Sequence, residues 1–248
     1  EAAEGVVVQG EQVIGFAPDG AGGAVLTWHD DRDQNSMNQA YFAHINGDGI
    51  VTTPEDGAYI SSSSFYNQFY PQVSCDFAAQ EARVAMRITD SGQNQCGLIV
   101  QVLDYNGNRQ LGDEGYLREA LSSFDNDPLF AWNHQGRFHY LQSWMDTSNP
   151  QVQTLRSARN AVQGEYDSWY DDQIATTQTP KFHFDFDTHE GGWVICVWEE
   201  GSSENDVYAM RYWYNGNVGA CNGAPENVTA EFIPPSSIRV EWDAPLYS

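Results

Sequence analysis

Acidic side chains recur at one place in this chain, just after a bulky residue that closes a short apolar stretch. Asp30 and Asp31 follow "AVLTW", Asp90 follows "EARVAM", Asp146 follows "FHYLQSW", and Glu199 with Glu200 follows "WVICVW". Carboxylates gathered on neighbouring loops are the usual oxygen ligands of Ca²⁺, so Asp30, Asp31, Asp90, Asp146 and Glu199 are candidate metal ligands. Carboxylates paired across a glycosidic bond would supply an acid and a nucleophile or base, and Asp30, Asp185 and Glu199 are the candidates for that chemistry. Asp185 belongs to "KFHFDFDTHE", where Phe182, Phe184 and Phe186 alternate with His183, Asp185 and Asp187 at the period of a strand. A second set is aromatic: Tyr66, Phe69, Tyr70 and Phe124, with Phe65, stand among Ser and Asn ahead of apolar strands. Rings with polar neighbours suit the faces of sugars, which makes these four the candidate ligand-binding residues. The plain alternative is a solvated acidic rim with ordinary loop aromatics. Several chemistries lack their residues altogether. There is no nucleophile elbow with Ser, His and Asp, no Gly-rich phosphate loop, no H-E-x-x-H and no repeated Ser-x-Asp-x-Gly-x-Thr-Trp box.

The elements that must position these residues form a repeat. "GGAVLTW" ends at Trp28, "EARVAM" at Met86, "GRFHYLQSW" at Trp144 and "GGWVICVW" at Trp198, which places the anchors 58, 58 and 54 residues apart. Asn-Gly pairs beginning at Asn46, Asn106 and Asn215 keep the same register, as do Pro71, Pro128 and Pro180, each expected to open an apolar strand. Each unit therefore reads as four strands. A proline-led strand is followed by the anchor strand, then a third strand such as "CGLIVQVLD", a type I′ Asn-Gly hairpin, and a more polar fourth strand. In "AVLTW" neither face is strongly polar, so the strand expects cover on both sides, which sheets stacked radially around an axis provide. The expected fold is all-β, a β-propeller of four roughly 55-residue repeats, with a closed ring favoured over an open arc. "EGVVVQ" at the start would complete the last sheet and close the ring.

Charge narrows the partners. Against 35 acidic side chains stand 11 basic ones, Lys181 being the single lysine, for a net charge of −24. Clustered Lys and Arg for phosphate are missing, so nucleic acid is not an expected partner, and no apolar run is long enough for membrane insertion. Cys75 with Cys96 and Cys196 with Cys221 fall as two local pairs; four cysteines permit three connectivities, and buried reduced thiols remain the alternative. Strong acidity, an even cysteine count and abundant Trp and Tyr favour an extracellular or cell-surface setting with disulfides.

"DGAGGAVLTWHDDR", "YFAHINGDG" and "FYPQVSCD" resemble propeller-type repeats of large secreted bacterial surface proteins, loosely over residues 5–222. The third unit departs from the pattern, lacking the Gly-Gly pair and the Asn-Gly turn. "APENVTAEFIPPSSIRVEWDAP" resembles the start of a fibronectin type III module, so the chain divides into a repeat domain over 1–222 and a linker with a truncated β-sandwich start over 223–248. The resemblance implies an exposed binding or structural part. The expectation is an extracellular, non-catalytic module that recognises carbohydrate or a protein partner through one acidic, aromatic loop face, with Ca²⁺ as the cofactor to test. A propeller glycoside hydrolase using paired carboxylates and a structural subunit of a surface assembly are the alternatives.

Overall fold

A computed structural model describes residues 12–32, 37–146, 153–160, 164–177, 179–201, 205–217, 226–233 and 237–243. Every regular element among them is a strand. The chain forms two compact units, Glu1–Gln178 and Thr179–Ser248.

The first unit contains three four-stranded antiparallel sheets in simple sequential order. They are β1 (Gln12–Pro18), β2 (Ala24–Asp30), β3 (Gln39–Ile45) and β4 (Ala58–Tyr59); β5 (Asn67–Asp76), β6 (Glu81–Thr89), β7 (Cys96–Asp104) and β8 (Tyr116–Ser122); and β9 (Phe124–His134), β10 (Arg137–Asp146), β11 (Gln153–Asn160) and β12 (Trp169–Ala175). The second unit has β13 (Lys181–His189), β14 (Trp193–Gly201) and β15 (Asn205–Trp213) in one sheet, and the hairpin β16 (Glu226–Ile233) with β17 (Ser237–Asp243). The order of strands is the up-and-down order of propeller blades, so the all-β propeller expectation holds. The segment 4–9 expected to close the ring lies outside the described residues.

Sheets need cover on both faces, and in the first unit the leading strand of each sheet supplies it. β5 packs across the first sheet and β9 across the second. Val25, Phe42, Val84, Met86 and Ile88 fill the first seam, and Leu98, Val100, Phe138, Tyr140 and Ala158 the second. The anchors Trp28, Met86 and Trp198 are buried as their spacing requires.

Three expectations need correction. Pro71 and Pro128 do not open strands but lie inside β5 and β9 at breaks in the pairing register, where the absent N–H leaves no ladder bond unmade. The Asn-Gly turns are not type I′. Asn46, Asp104 and Trp213 each begin a turn in which their C=O accepts from the glycine three residues on (Gly49, Gly107, Gly216) and their N–H donates to the residue four on. Only those glycines have positive φ, of 79°, 87° and 92°, so the turn closes with a single left-handed residue, and the glycine equivalent to Gly107 is Gly49 rather than Gly47. The Cys75–Cys96 disulfide is absent. Cys75 is opposite Ala82 and Cys96 opposite Thr89, which sets them seven positions apart along β6, roughly 23 Å at about 3.3 Å per residue. Cys75, Cys96 and Cys196 are buried free thiols, and Cys221 lies outside the described residues.

Candidate functional site

Antiparallel pairing brings the end of each anchor strand beside the start of the leading strand, so the loops that follow the anchors and those that enter the leading strands share one end of each sheet. The acidic residues expected there do different jobs. Asp30 is buried and accepts from the Trp28 indole N–H at 3.1 Å and from the Arg32 guanidinium at 2.5–3.0 Å. Burial opposes its charge, but Arg32 and the indole outweigh that and hold the carboxyl below the usual range. Asp90 accepts the backbone N–H groups of Asn94 and Gln95 within its own turn, at 2.7 and 2.9 Å. Asp31 is exposed, and the Asp146 side chain lies outside the described residues. Among the described residues no three His, Cys, Asp or Glu side chains gather as metal ligands, so the expected Ca²⁺ ligands are not brought together there. The Trp28–Asp30 device recurs in the second unit, where the Trp198 indole donates to Glu200 at 2.9 Å and Lys181 sits 3.6 Å from the same side chain. A tryptophan two residues before an acid is therefore an internal clamp of the sheet.

One partly open polar cluster of the first unit lies between its second and third sheets. Asp125 and Asp127, alternate residues at the start of β9, converge on one guanidinium from β6: Arg87 Nη2 lies 2.7 Å from Asp125 and Nη1 2.7 Å from Asp127. The Cys96 thiol at the start of β7 completes the group, accepting from Arg87 at 2.9 Å and donating to Asp125 at 3.2 Å. Burial pushes the Asp127 carboxyl up and the Asp125 charge adds to this, while Arg87 opposes it. A purely architectural tie between the same sheets looks different. Arg83 binds Asp76 at 2.6 Å with side-chain exposures of 3% and 6% and reaches Asn133 and the Gly136 carbonyl across the seam. Asp125 and Asp127 instead expose 25% and 32% of their side chains. Both carboxyls are therefore partly open to solvent.

Aromatic residues neighbour it in strand register and in sequence. Phe69 is directly opposite Arg87 in the β5–β6 register, and His29 packs edge-on against both Phe69 and Tyr70, at 5.3 and 5.5 Å between centroids. The register shift at Tyr70 and Pro71 puts Tyr70 at φ 51°, a left-handed conformation that a bulky residue adopts only when its surroundings impose it. Phe124, next to Asp125, stacks on Trp144 at 4.2 Å, and Arg156 covers the Trp144 ring at 3.8 Å. Of the expected sugar platform, Phe69 and Tyr70 are thus adjacent, Phe124 is half-buried in a stack of its own, and Tyr66 packs against the first core.

The second unit repeats the geometry with other residues. Its register shift falls between Phe182 and Asp185, His183 takes φ 50°, and Phe182 is opposite Glu199 as Phe69 is opposite Arg87. His183 Nδ1 approaches Glu199 to 3.3 Å, while Asp185 is exposed and accepts the N–H of Phe186. Sequence reasoning missed Arg87, Asp125 and Asp127. A signal existed in "FDNDP": two Asp at period two ahead of Pro128 share one face if the strand starts at Phe124 rather than at the proline.

No family model matches the chain, and neither does any curated protein. Among solved structures, a Hadza microbial sialidase is similar with a TM-score of 0.53 at 9% identity, over 81% of this chain and 44% of that one. The chain thus spans less than half of that sialidase. An endo-arabinase from Bacteroides thetaiotaomicron aligns with a TM-score of 0.47 at 10% identity, over 93% and 88% of the two chains. An exo-1,5-alpha-L-arabinanase from a bovine ruminal metagenomic library gives 0.34 at 9%, over 82% and 94%. The sialidase likeness is one of fold. The expectation of a non-catalytic binding or structural module is corrected, since the solved chain whose fold it shares at a TM-score above 0.5 bears the name of a sialidase.

Proposed function

We propose that the chain is part of a propeller glycoside hydrolase whose acid and nucleophile are Asp127 and Asp125. The observation that carries the reading is the pair of solvent-reachable carboxyls on one guanidinium, with Asp127 pushed up by burial and Asp125 held by charged and polar donors. Glycoside hydrolysis needs that asymmetry: a carboxylic acid to protonate the leaving oxygen and a carboxylate to receive the developing oxocarbenium charge. Two carboxyls sharing one Arg are closely spaced, which favours the double-displacement course, for which about 5–5.5 Å is typical. His29, Phe69 and Tyr70 would offer the ring faces that hold a sugar beside them. The missing Ser-x-Asp-x-Gly-x-Thr-Trp boxes speak against copying the sialidase specificity, so the proposed substrate is a carbohydrate without that assignment. An extracellular location agrees with a glycan substrate and with a net charge of −24.

The test is hydrolysis of a panel of polysaccharides and aryl glycosides, with product anomers followed by NMR. Asp127→Asn and Asp125→Asn are each expected to lower kcat by about 10²–10⁴-fold. Retention of the anomeric configuration is expected. Hydrolysis that survives both substitutions would move the chemistry elsewhere, and bound but uncleaved glycan would reject catalysis altogether.

A further inference from the structure

We propose that Cys96 is a positioning residue for Asp125, its S–H holding the carboxylate toward Arg87 and supporting its charge; this rests on the hydrolase reading. The thiol lies at the head of β7, buried, 3.2 Å from Asp125 Oδ1 and 2.9 Å from Arg87 Nη2. Arg87 itself contacts Asp125 at 2.7 Å, so thiol, guanidinium and carboxylate form a closed triangle built from three strands of two sheets. The orientation of the hydrogen follows from the partners. A guanidinium can only donate, so the sulfur accepts from Arg87, and the one S–H is left to donate to Asp125. Burial, reinforced by the neighbouring carboxylates, keeps the thiol protonated, pushed up to about 11. The charged and titratable groups around Asp125 are Arg87 from β6, Cys96 from β7 and Asp127 from its own strand, with Glu119 of β8 tied 2.7 Å from the adjacent Asn126.

A buried cysteine that only filled space would be replaced by an apolar residue of similar volume without changing Asp125. The experiment measures the Asp125 carboxyl by ¹³C NMR titration, assigned with Asp125→Asn, in the wild-type chain and in Cys96→Ala, Cys96→Val and Cys96→Ser. Loss of the donor is expected to raise the Asp125 midpoint by about 0.5–1 pH unit in the Ala and Val variants. Cys96→Ser, which keeps a donor, returns it toward wild type. On the hydrolase the same shift should appear in the acidic limb of kcat/KM. Unchanged midpoints in folded Ala and Val variants overturn the positioning role. The titration does not depend on turnover, so it separates that failure from failure of the hydrolase reading, which is decided by the Asp125 and Asp127 substitutions.

Discussion

At the scale of single residues, two aspartates of the first unit respond oppositely to neutralisation. Asp127 sits where burial disfavours its charge, so Asp127→Asn is expected to leave the melting temperature at pH 7 unchanged or higher even as the proposed hydrolysis is lost. The linkage has the matching sign. A carboxyl with a raised folded value contributes stability at low pH and loses it as pH rises through that value. Asp19 is the contrast. Burial opposes its charge too, but the Ala21 N–H, the His44 ring at 3.1 Å and the Gly23 N–H outweigh it and hold the carboxyl below its usual range. Asp19→Asn should lower the melting temperature at pH 7, and the difference should vanish as pH falls through the depressed value. His139 provides a third readout. It is fully buried, stacked on Trp132 at 4.7 Å, and burial pushes it down to about 3. The unfolded chain takes up that proton near pH 6.5, so stability is lost as pH falls from about 6.5 to 3. His139→Phe should flatten that part of the curve in a thermal-melt series.

At the scale of elements, the leading strands do the positioning. Each leading strand, β1, β5, β9 and β13, breaks register within its length, and in β5 and β13 the break carries an aromatic residue at positive φ, Tyr70 or His183. A left-handed non-glycine costs of order 1 kcal/mol. Tyr70→Gly is therefore expected to hold or raise stability in denaturant titration while weakening the proposed glycan binding, because the ring beside His29 is removed. The turn glycines behave the other way, since Gly107→Ala places a Cβ at φ 87° and 2.5 Å from the Ala58 Cβ, and a loss of more than about 1 kcal/mol is expected.

At the scale of the whole molecule, a net charge of −24 makes self-repulsion a standing opponent of the compact state. Melting temperature should rise with added salt at neutral pH, measured by calorimetry between low and physiological ionic strength. Against that background several arginines tie one sheet to the next. Arg83 ties the second sheet to the third, and Arg118 on β8 pairs with Asp171 on β12. What could be read without coordinates was what repeats: anchors 58, 58 and 54 residues apart, four-stranded units and two-sided burial follow from local pattern, because each strand's neighbours in the sheet are its neighbours in the chain. Long-range pairing was not legible. Asp30 and Glu200 look like free acids in sequence, and only packing shows an indole and a cation already holding each. Cys75 and Cys96 look like a pair, and only the register sets them at opposite ends of β6. Arg87, Cys96, Asp125 and Asp127 come from three strands in two sheets, so their meeting depends on how one blade faces the next, a contact that no spacing along the chain encodes.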